Sequence, residues 1–155
     1  KVTFVIDCGF EYPISVNNFS KTLKKISIYN FKIILGTEKI KKFSLRSFFL
    51  NSENIISLDF NGKELYWIKK IRLLNIKPIL IFMFLKNVGG RGVEWKRISN
   101  LLRIFPNNKC FVAGGIKYFG EINKLRMMGS CGVIISTLIH KKISRDNKKS
   151  LEFIF

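Results

Sequence analysis

Glycines and small hydroxyl residues recur in this 155-residue chain where apolar runs end, and that pattern points to phosphate chemistry. In residues 111–140, FVAGGIKYFGEINKLRMMGSCGVIISTLIH, one apolar run ends in Gly114-Gly115, an amphipathic stretch follows, and a second apolar run ends in Ser136-Thr137. Backbone amides freed at strand ends and helix starts form anion pockets, and a glycine lets a phosphate approach the backbone closely. Two such turns on neighbouring strands predict a sugar-phosphate or nucleotide-phosphate site at Gly114, Gly115, Ser136 and Thr137. The start of the chain echoes this arrangement. Val5-Ile6-Asp7-Cys8-Gly9-Phe10 matches Val112-Ala113-Gly114-Gly115-Ile116, and each copy leads through a helix and a strand to a small-hydroxyl end, Gly36-Thr37 in the first and Ser136-Thr137 in the second. A second phosphate is therefore expected at Gly9, Gly36 and Thr37.

Carboxylates sit at the same strand ends. Asp59 closes the run Ile55-Ile56-Ser57-Leu58-Asp59, just before the turn Asn61-Gly62. Position alone leaves two roles open: an acid/base group tuned by desolvating neighbours, or a cap for the turn. Asp7, directly before Cys8-Gly9, either orients a substrate or bonds the turn amides that follow it. Glu38, after Gly36-Thr37, suits a helix start without any further role. Val88-Gly89-Gly90-Arg91-Gly92 forms a glycine-rich loop after an apolar run, fit to cradle a phosphate or close over a substrate, with Arg91 able to add a bidentate contact. A plain connection is the competing reading. His140 is the only histidine, and Trp67 and Trp95 fall on helical stretches where packing is the simplest role. No metal-ligand cluster is visible, and the glycine spacing matches neither a P-loop nor a dinucleotide fingerprint. No metal and no cofactor are expected.

The elements that must position these residues alternate regularly. Apolar runs at 3–7, 32–35, 55–59, 79–85, 109–112 and 133–135 read as strands, rich in Ile, Val, Phe and Leu without clean alternation, as strands covered on both faces do. Stretches at 16–27, 43–50, 68–74, 95–103 and 118–127 read as helices, with a short one after Thr137 and a last helix or frayed end after Ser144. Alternation of this kind predicts βαβ units in a parallel sheet and a single domain over residues 1–155.

The chain carries a net charge of +18, with 21 lysines against 7 arginines. The lysines are scattered in singles and pairs, whereas readers of phosphate backbones or bases favour the arginine fork. A solvated basic surface is the favoured reading over a nucleic-acid footprint, and such a surface attracts anionic substrates. Cys8, Cys110 and Cys131 show no C-x-x-C spacing, which argues against a disulfide framework or zinc site and fits a cytoplasmic protein with inert core thiols. The longest apolar run, 78–85, is too short to cross a membrane.

Five motifs in order carry a family resemblance: Ile6-Asp7-Cys8-Gly9-Phe10; Leu35-Gly36-Thr37-Glu38; Ser57-Leu58-Asp59-Phe60; Val88-Gly89-Gly90-Arg91-Gly92; and Ala113-Gly114-Gly115-Ile116 with Met128-Gly129-Ser130-Cys131-Gly132-Val133 and Ser136-Thr137-Leu138-Ile139-His140. Over nearly its whole length the chain resembles the HisA/HisF family, the phosphate-binding barrels of histidine biosynthesis, nearest the related branch of methanogens and methylotrophs. The resemblance implies an α/β fold, a (β/α)8 TIM barrel of which about six βα units are present. The chain would then be the C-terminal three quarters of the barrel, with residues 2–6 as its third strand. It also implies a phosphate at each end of a bis-phosphorylated substrate, and it places Asp59 on the family's strand-five catalytic acid. The partner acid would lie on a first strand not present here. Two positions depart from the family: Phe84 stands where an acid is usual and Gly90 where a threonine is usual.

The leading functional expectation is a HisA-like sugar-phosphate isomerase, rearranging a phosphorylated aminosugar from aldose to ketose without a cofactor. A catalytically silent sugar-phosphate-binding barrel is the alternative that Phe84 and Gly90 motivate, and a basic nucleic-acid-binding domain is a third. The expected partner is a phosphorylated small molecule, with neither a membrane nor nucleic acid involved.

Overall fold

A computed structural model describes residues 3–40 and 54–140. The chain runs β1 (Phe4–Asp7), α1 (Pro13–Lys25), β2 (Phe31–Gly36), β3 (Ile55–Asp59), α2 (Glu64–Arg72), β4 (Ile79–Met83), a 3-10 turn (Leu85–Asn87), α3 (Trp95–Ile104), β5 (Cys110–Ala113), α4 (Phe119–Met127) and β6 (Gly132–Ile134). The expected helix at 43–50 and the expected end after Ser144 lie outside the described residues.

The six strands form one all-parallel sheet in sequential order, β1-β2-β3-β4-β5-β6. Parallel pairing of consecutive strands needs a crossover between them, so the alternating sequence pattern and the topology are two statements of one constraint. The sheet curls into a half-barrel and does not close, which corrects the expectation of a (β/α)8 barrel. Closure of an eight-stranded barrel requires every strand to have two neighbours. Here, among the described residues, β1 pairs only with β2 and β6 only with β5, so both are edges. Their residues are correspondingly open: Val5 is 53% and Ile134 42% exposed, whereas all five residues of β3 are buried.

The two faces of the sheet differ. Side chains alternate along each strand, and Ile33, Leu35, Ile56, Leu58, Leu80, Phe82, Cys110 and Val112 point to the side that packs against Val16 of α1, Trp67 and Ile71 of α2, Ile98 and Leu101 of α3 and Leu125 of α4. The helical pairs recur at i,i+3 or i,i+4, the spacing of one helix face. The opposite face carries a smaller cluster of Ile55, Ile81 and Ala113, with Ile34, Ile79, Met83 and Phe111 against it. Near the strand ends on the helix side, Phe60 stacks on Phe84 with centroids 4.6 Å apart. The Arg97 guanidinium lies 4.4 Å above the Phe60 ring and pairs with Glu64, tying α3 to α2.

Local sequence explains the helix ends. Pro13 occupies the first turn of α1, where its missing N–H is not needed. Ser27 takes φ 63° just past that helix, while Ile28 N–H returns to the Leu23 carbonyl at 2.9 Å, a Schellman-type close. The thiols divide as well. Cys110 is buried, and burial, aided by the nearby Cys131 thiol, pushes it up to about 12, while Cys8 and Cys131 are exposed rather than core residues.

If helices cover one face alone, truncations on the two faces should differ. Ile98→Ala, at a fully buried site on the helix side, should cost about 2–5 kcal/mol, while Ile134→Ala on the opposite face of an edge strand should cost less than about 1 kcal/mol. Urea unfolding of both variants measures the contrast; equal losses would show that the second face is packed as tightly as the first.

Candidate functional site

All six strands point the same way, so their carboxyl ends and the following loops share one rim, where open α/β sheets place ligands. Three loops on this rim meet around a cavity of about 140 Å³ lined by Gly89 and Gly90 after β4, Gly114 and Gly115 after β5, and Ser136 and Thr137 after β6, with Met83 and Ile134 at its floor. The structure thus gathers the C-terminal phosphate residues and the two loop glycines into one place. The cavity is smaller than the roughly 300–1,000 Å³ of a whole-ligand pocket, so it receives one group of a ligand. No backbone acceptor among the described residues meets the amides of Gly115, Ser136 or Thr137. Thr137 opens a helical turn in which His140 N–H bonds the Ser136 carbonyl at 3.0 Å.

The glycine pair also has a reason internal to the protein. A Cβ on Gly114 would stand 2.6 Å from the Phe84 carbonyl oxygen, and one on Gly115 2.2 Å from that of Gly92. Both residues hold φ +89°, in the left-handed region that favours glycine. The loop after β4 therefore rests directly on the loop after β5: Gly92 N–H donates to the Gly115 carbonyl at 3.1 Å, and Asn87 Nδ2 donates to the Gly92 carbonyl at 2.7 Å. The glycine-rich segment is a built wall, not a loose connection. Arg91 does not line the cavity; its guanidinium reaches the Lys86 carbonyl at 3.4 Å. Lys117 does come near, its Nζ 3.8 Å from the Cβ position of Gly92. Sequence reasoning passed over Lys117, and its place just beyond Gly114-Gly115-Ile116 was the available signal. At the start of α4 the Glu121 carboxylate accepts the N–H groups of Lys117 and Tyr118 at 2.6 and 3.2 Å, so these two amides are engaged.

Asp59 lies farther along the rim, 4% exposed at the end of β3. It does not cap the Asn61-Gly62 turn through its side chain. Its Oδ1 accepts from Ser57 Oγ at 2.7 Å, and its Oδ2 accepts from Thr37 Oγ1 at 3.3 Å and Glu38 N–H at 3.1 Å. Thr37 Oγ1 in turn accepts from Asp59 N–H at 2.8 Å. Burial pushes the Asp59 carboxyl above its ordinary range; the Ser57, Glu38 and Thr37 hydrogen bonds oppose the rise and the charge of Glu38 adds to it. Gly36 makes room for this group, since a Cβ there would sit 3.2 Å from Oδ2. The donors expected to hold a second phosphate are thus already engaged: Thr37 N–H bonds the Ser57 carbonyl at 2.9 Å, and Gly9 N–H bonds Asp7 Oδ1 at 3.1 Å. Asp7 thus bonds the turn that follows it, one of the two roles open to it.

Phe84 changes meaning in the structure. It is 1% exposed and faces the helices, while Met83, in register with Asp59, faces the cavity. The position on β4 that looks toward the ligand side therefore carries a thioether, and no acid on that strand faces Asp59. Among the described residues no group of three His, Cys, Asp or Glu could hold a metal ion. No described helix is long and apolar enough to cross a membrane.

No protein-family model matches the chain. An uncharacterised protein of Methanocaldococcus jannaschii is 29% identical over 127 residues, covering 79% of this chain and 54% of that protein. The chain spans about half the length of the curated relative it matches. No solved structure matches.

Two outcomes test this geometry. Gly115→Ala should destabilise by about 2–4 kcal/mol, combining left-handed strain with a backbone collision, and thermal unfolding should show it; a neutral substitution would mean the loops are not in contact. Asp59→Asn, with Oδ1 still able to accept from Thr37 and Glu38, addresses the buried carboxyl. A raised folded pKa means its stabilising contribution is full below the unfolded value, near about 3.9, and fades as pH rises through the folded pKa. The variant should therefore gain stability relative to the native chain as pH rises above about 4 in urea titrations, whereas a pH-independent difference would remove Asp59 ionisation as its cause.

Proposed function

We propose that this chain binds a phosphorylated small molecule, holding a phosphate group in the cavity between the loops after β4, β5 and β6. The observation that carries the proposal is the convergence of Gly89, Gly90, Gly114, Gly115, Ser136 and Thr137 on one small cavity whose amides at Gly115, Ser136 and Thr137 have no acceptor among the described residues. Amides at a strand end and the start of a helical turn suit an anion. The HisA/HisF resemblance agrees with this reading and supplies the reaction: a cofactor-free aldose-to-ketose rearrangement of a phosphorylated aminosugar. In that reaction a proton leaves C2 and one is returned at C1, after protonation of the ring oxygen opens the sugar. Asp59, on the same rim with a carboxyl held above its ordinary range by burial, is the residue suited to carry one of these protons. Such groups contribute roughly 10²–10⁴-fold to rate.

A catalytically silent sugar-phosphate-binding protein is the second reading. It is favoured by the hydrogen bonds that already occupy both oxygens of Asp59 and by Met83 on the strand position facing it.

Binding and catalysis are tested separately. Titration with ribose 5-phosphate should shift the backbone NMR signals of Gly114, Gly115, Ser136 and Thr137, and Ser136→Asp, which places a carboxylate in the cavity, should abolish the shifts. Unmoved signals in the native chain would refute phosphate binding there. For catalysis, the native chain should interconvert a singly phosphorylated aminoaldose and its aminoketose, and Asp59→Asn should not. Absence of turnover in the native chain, alongside intact binding, would discard the isomerase and leave the silent binder.

A further inference from the structure

We infer that the ligand carries a single phosphate, and that the end of it lying over β1, β2 and β3 is unphosphorylated because the Asp59 carboxylate is the resident anion there. This rests on the phosphate reading of the β4–β6 cavity and names the substrate class that reading leaves open.

The two halves of the rim repeat each other in sequence but differ in what their donors do. In the β5–β6 half, the amides of Gly115, Ser136 and Thr137 meet no acceptor among the described residues. No carboxylate among the described residues lines that cavity, and Lys117 stands beside the loop that walls it. In the β1–β2 half, the equivalent donors are taken. Gly9 N–H is bonded by Asp7 at 3.1 Å, Thr37 N–H by the Ser57 carbonyl at 2.9 Å, and the Thr37 hydroxyl and Glu38 N–H by Asp59 Oδ2 at 3.3 and 3.1 Å. The space against the Gly36 backbone is filled as well, with Asp59 Oδ2 3.2 Å from where a Cβ would stand and Glu38 Cγ at 3.8 Å.

A phosphate entering this half would have to displace a buried, three-fold hydrogen-bonded carboxylate. It would then rest near Asp7 and Glu38, with Lys39, whose Cγ is 3.9 Å from the Cβ position of Gly9, beside it. Like charges gathered in a partly desolvated site oppose one another. Carboxylates accept hydrogen bonds from hydroxyl or amino groups instead, so a polyol or amino end fits where a second phosphate does not. Asp59 is then a specificity-determining residue whatever its part in proton transfer.

Calorimetric titration of the 155-residue chain with inorganic phosphate, fructose 6-phosphate and fructose 1,6-bisphosphate decides the matter. One phosphate per chain is expected, with the bisphosphate bound no more than about threefold tighter than the monophosphate. Asp59→Ala frees the Thr37 and Glu38 donors and should raise the preference for the bisphosphate by about tenfold; Asp59→Asn, which keeps the hydrogen bonds without the charge, should fall between. Two phosphates per native chain, or a native preference for the bisphosphate above about tenfold, would overturn the inference while leaving phosphate binding intact. Absence of any phosphate binding, or binding that Ser136→Asp does not weaken, would overturn the underlying reading and this inference with it.

Discussion

The loops after β4 and β5 touch through their backbones, and the geometry of the rim depends on that contact. Gly92 and Gly115 approach so closely that a methyl group on Gly115 would lie inside the Gly92 carbonyl, and Gly114 stands in the same relation to Phe84. Side chains can adjust their rotamers around a crowded neighbour, but backbone carbonyls locked into a sheet and a turn cannot. The interlock therefore sets where the cavity wall runs and how far Gly89 and Gly90 stand from Ser136 and Thr137. It also gives these glycines a purpose before any ligand arrives. The same interlock leaves the Gly115 amide without a backbone acceptor among the described residues.

Asp59 anchors the other half of the rim by the opposite means. It is buried with its charge answered by hydroxyls and an amide rather than by a cation, drawing β2 and β3 together through Thr37, Ser57 and Glu38. Hydrogen bonds favour the ionised form and burial disfavours it, and burial is the larger effect. A carboxyl balanced in this way is suited to exchanging a proton, and the same balance makes it costly to keep ionised. Stability and the ionisation of this carboxyl are thus coupled at one residue.

Both halves follow from a sheet wound in one direction. Sequential parallel order puts the described helices on one face and the carboxyl ends of the described strands on one rim. The helix face carries the larger core, and the opposite face carries the smaller cluster and, at the rim, Asp59 and Met83. A net charge of +18 spread over the surface adds a long-range attraction for anions, without itself defining where they bind.

The sequence by itself determined the order of elements, the parallel pairing and the positions of the rim residues, because each is a local matter. Contiguous apolar runs separated by helix-period stretches admit few other topologies, and glycine pairs or a lone Asp at a strand end mark turns whatever the partner. Only the tertiary structure decided that the sheet stays open, since closure depends on whether β1 and β6 meet. One residue's difference in where β4 is read decided that Met83 faces the ligand side and Phe84 the helices, because alternate side chains point to opposite faces. The strongest divergence lies in the repeated halves. Gly9, Gly36 and Thr37 look like Gly114, Ser136 and Thr137 in sequence, yet their donors are occupied by Asp7, Ser57 and Asp59. Thr37 and Asp59 are 22 residues apart, and a donor's availability is set by what the fold brings beside it, which composition and spacing along the chain do not encode.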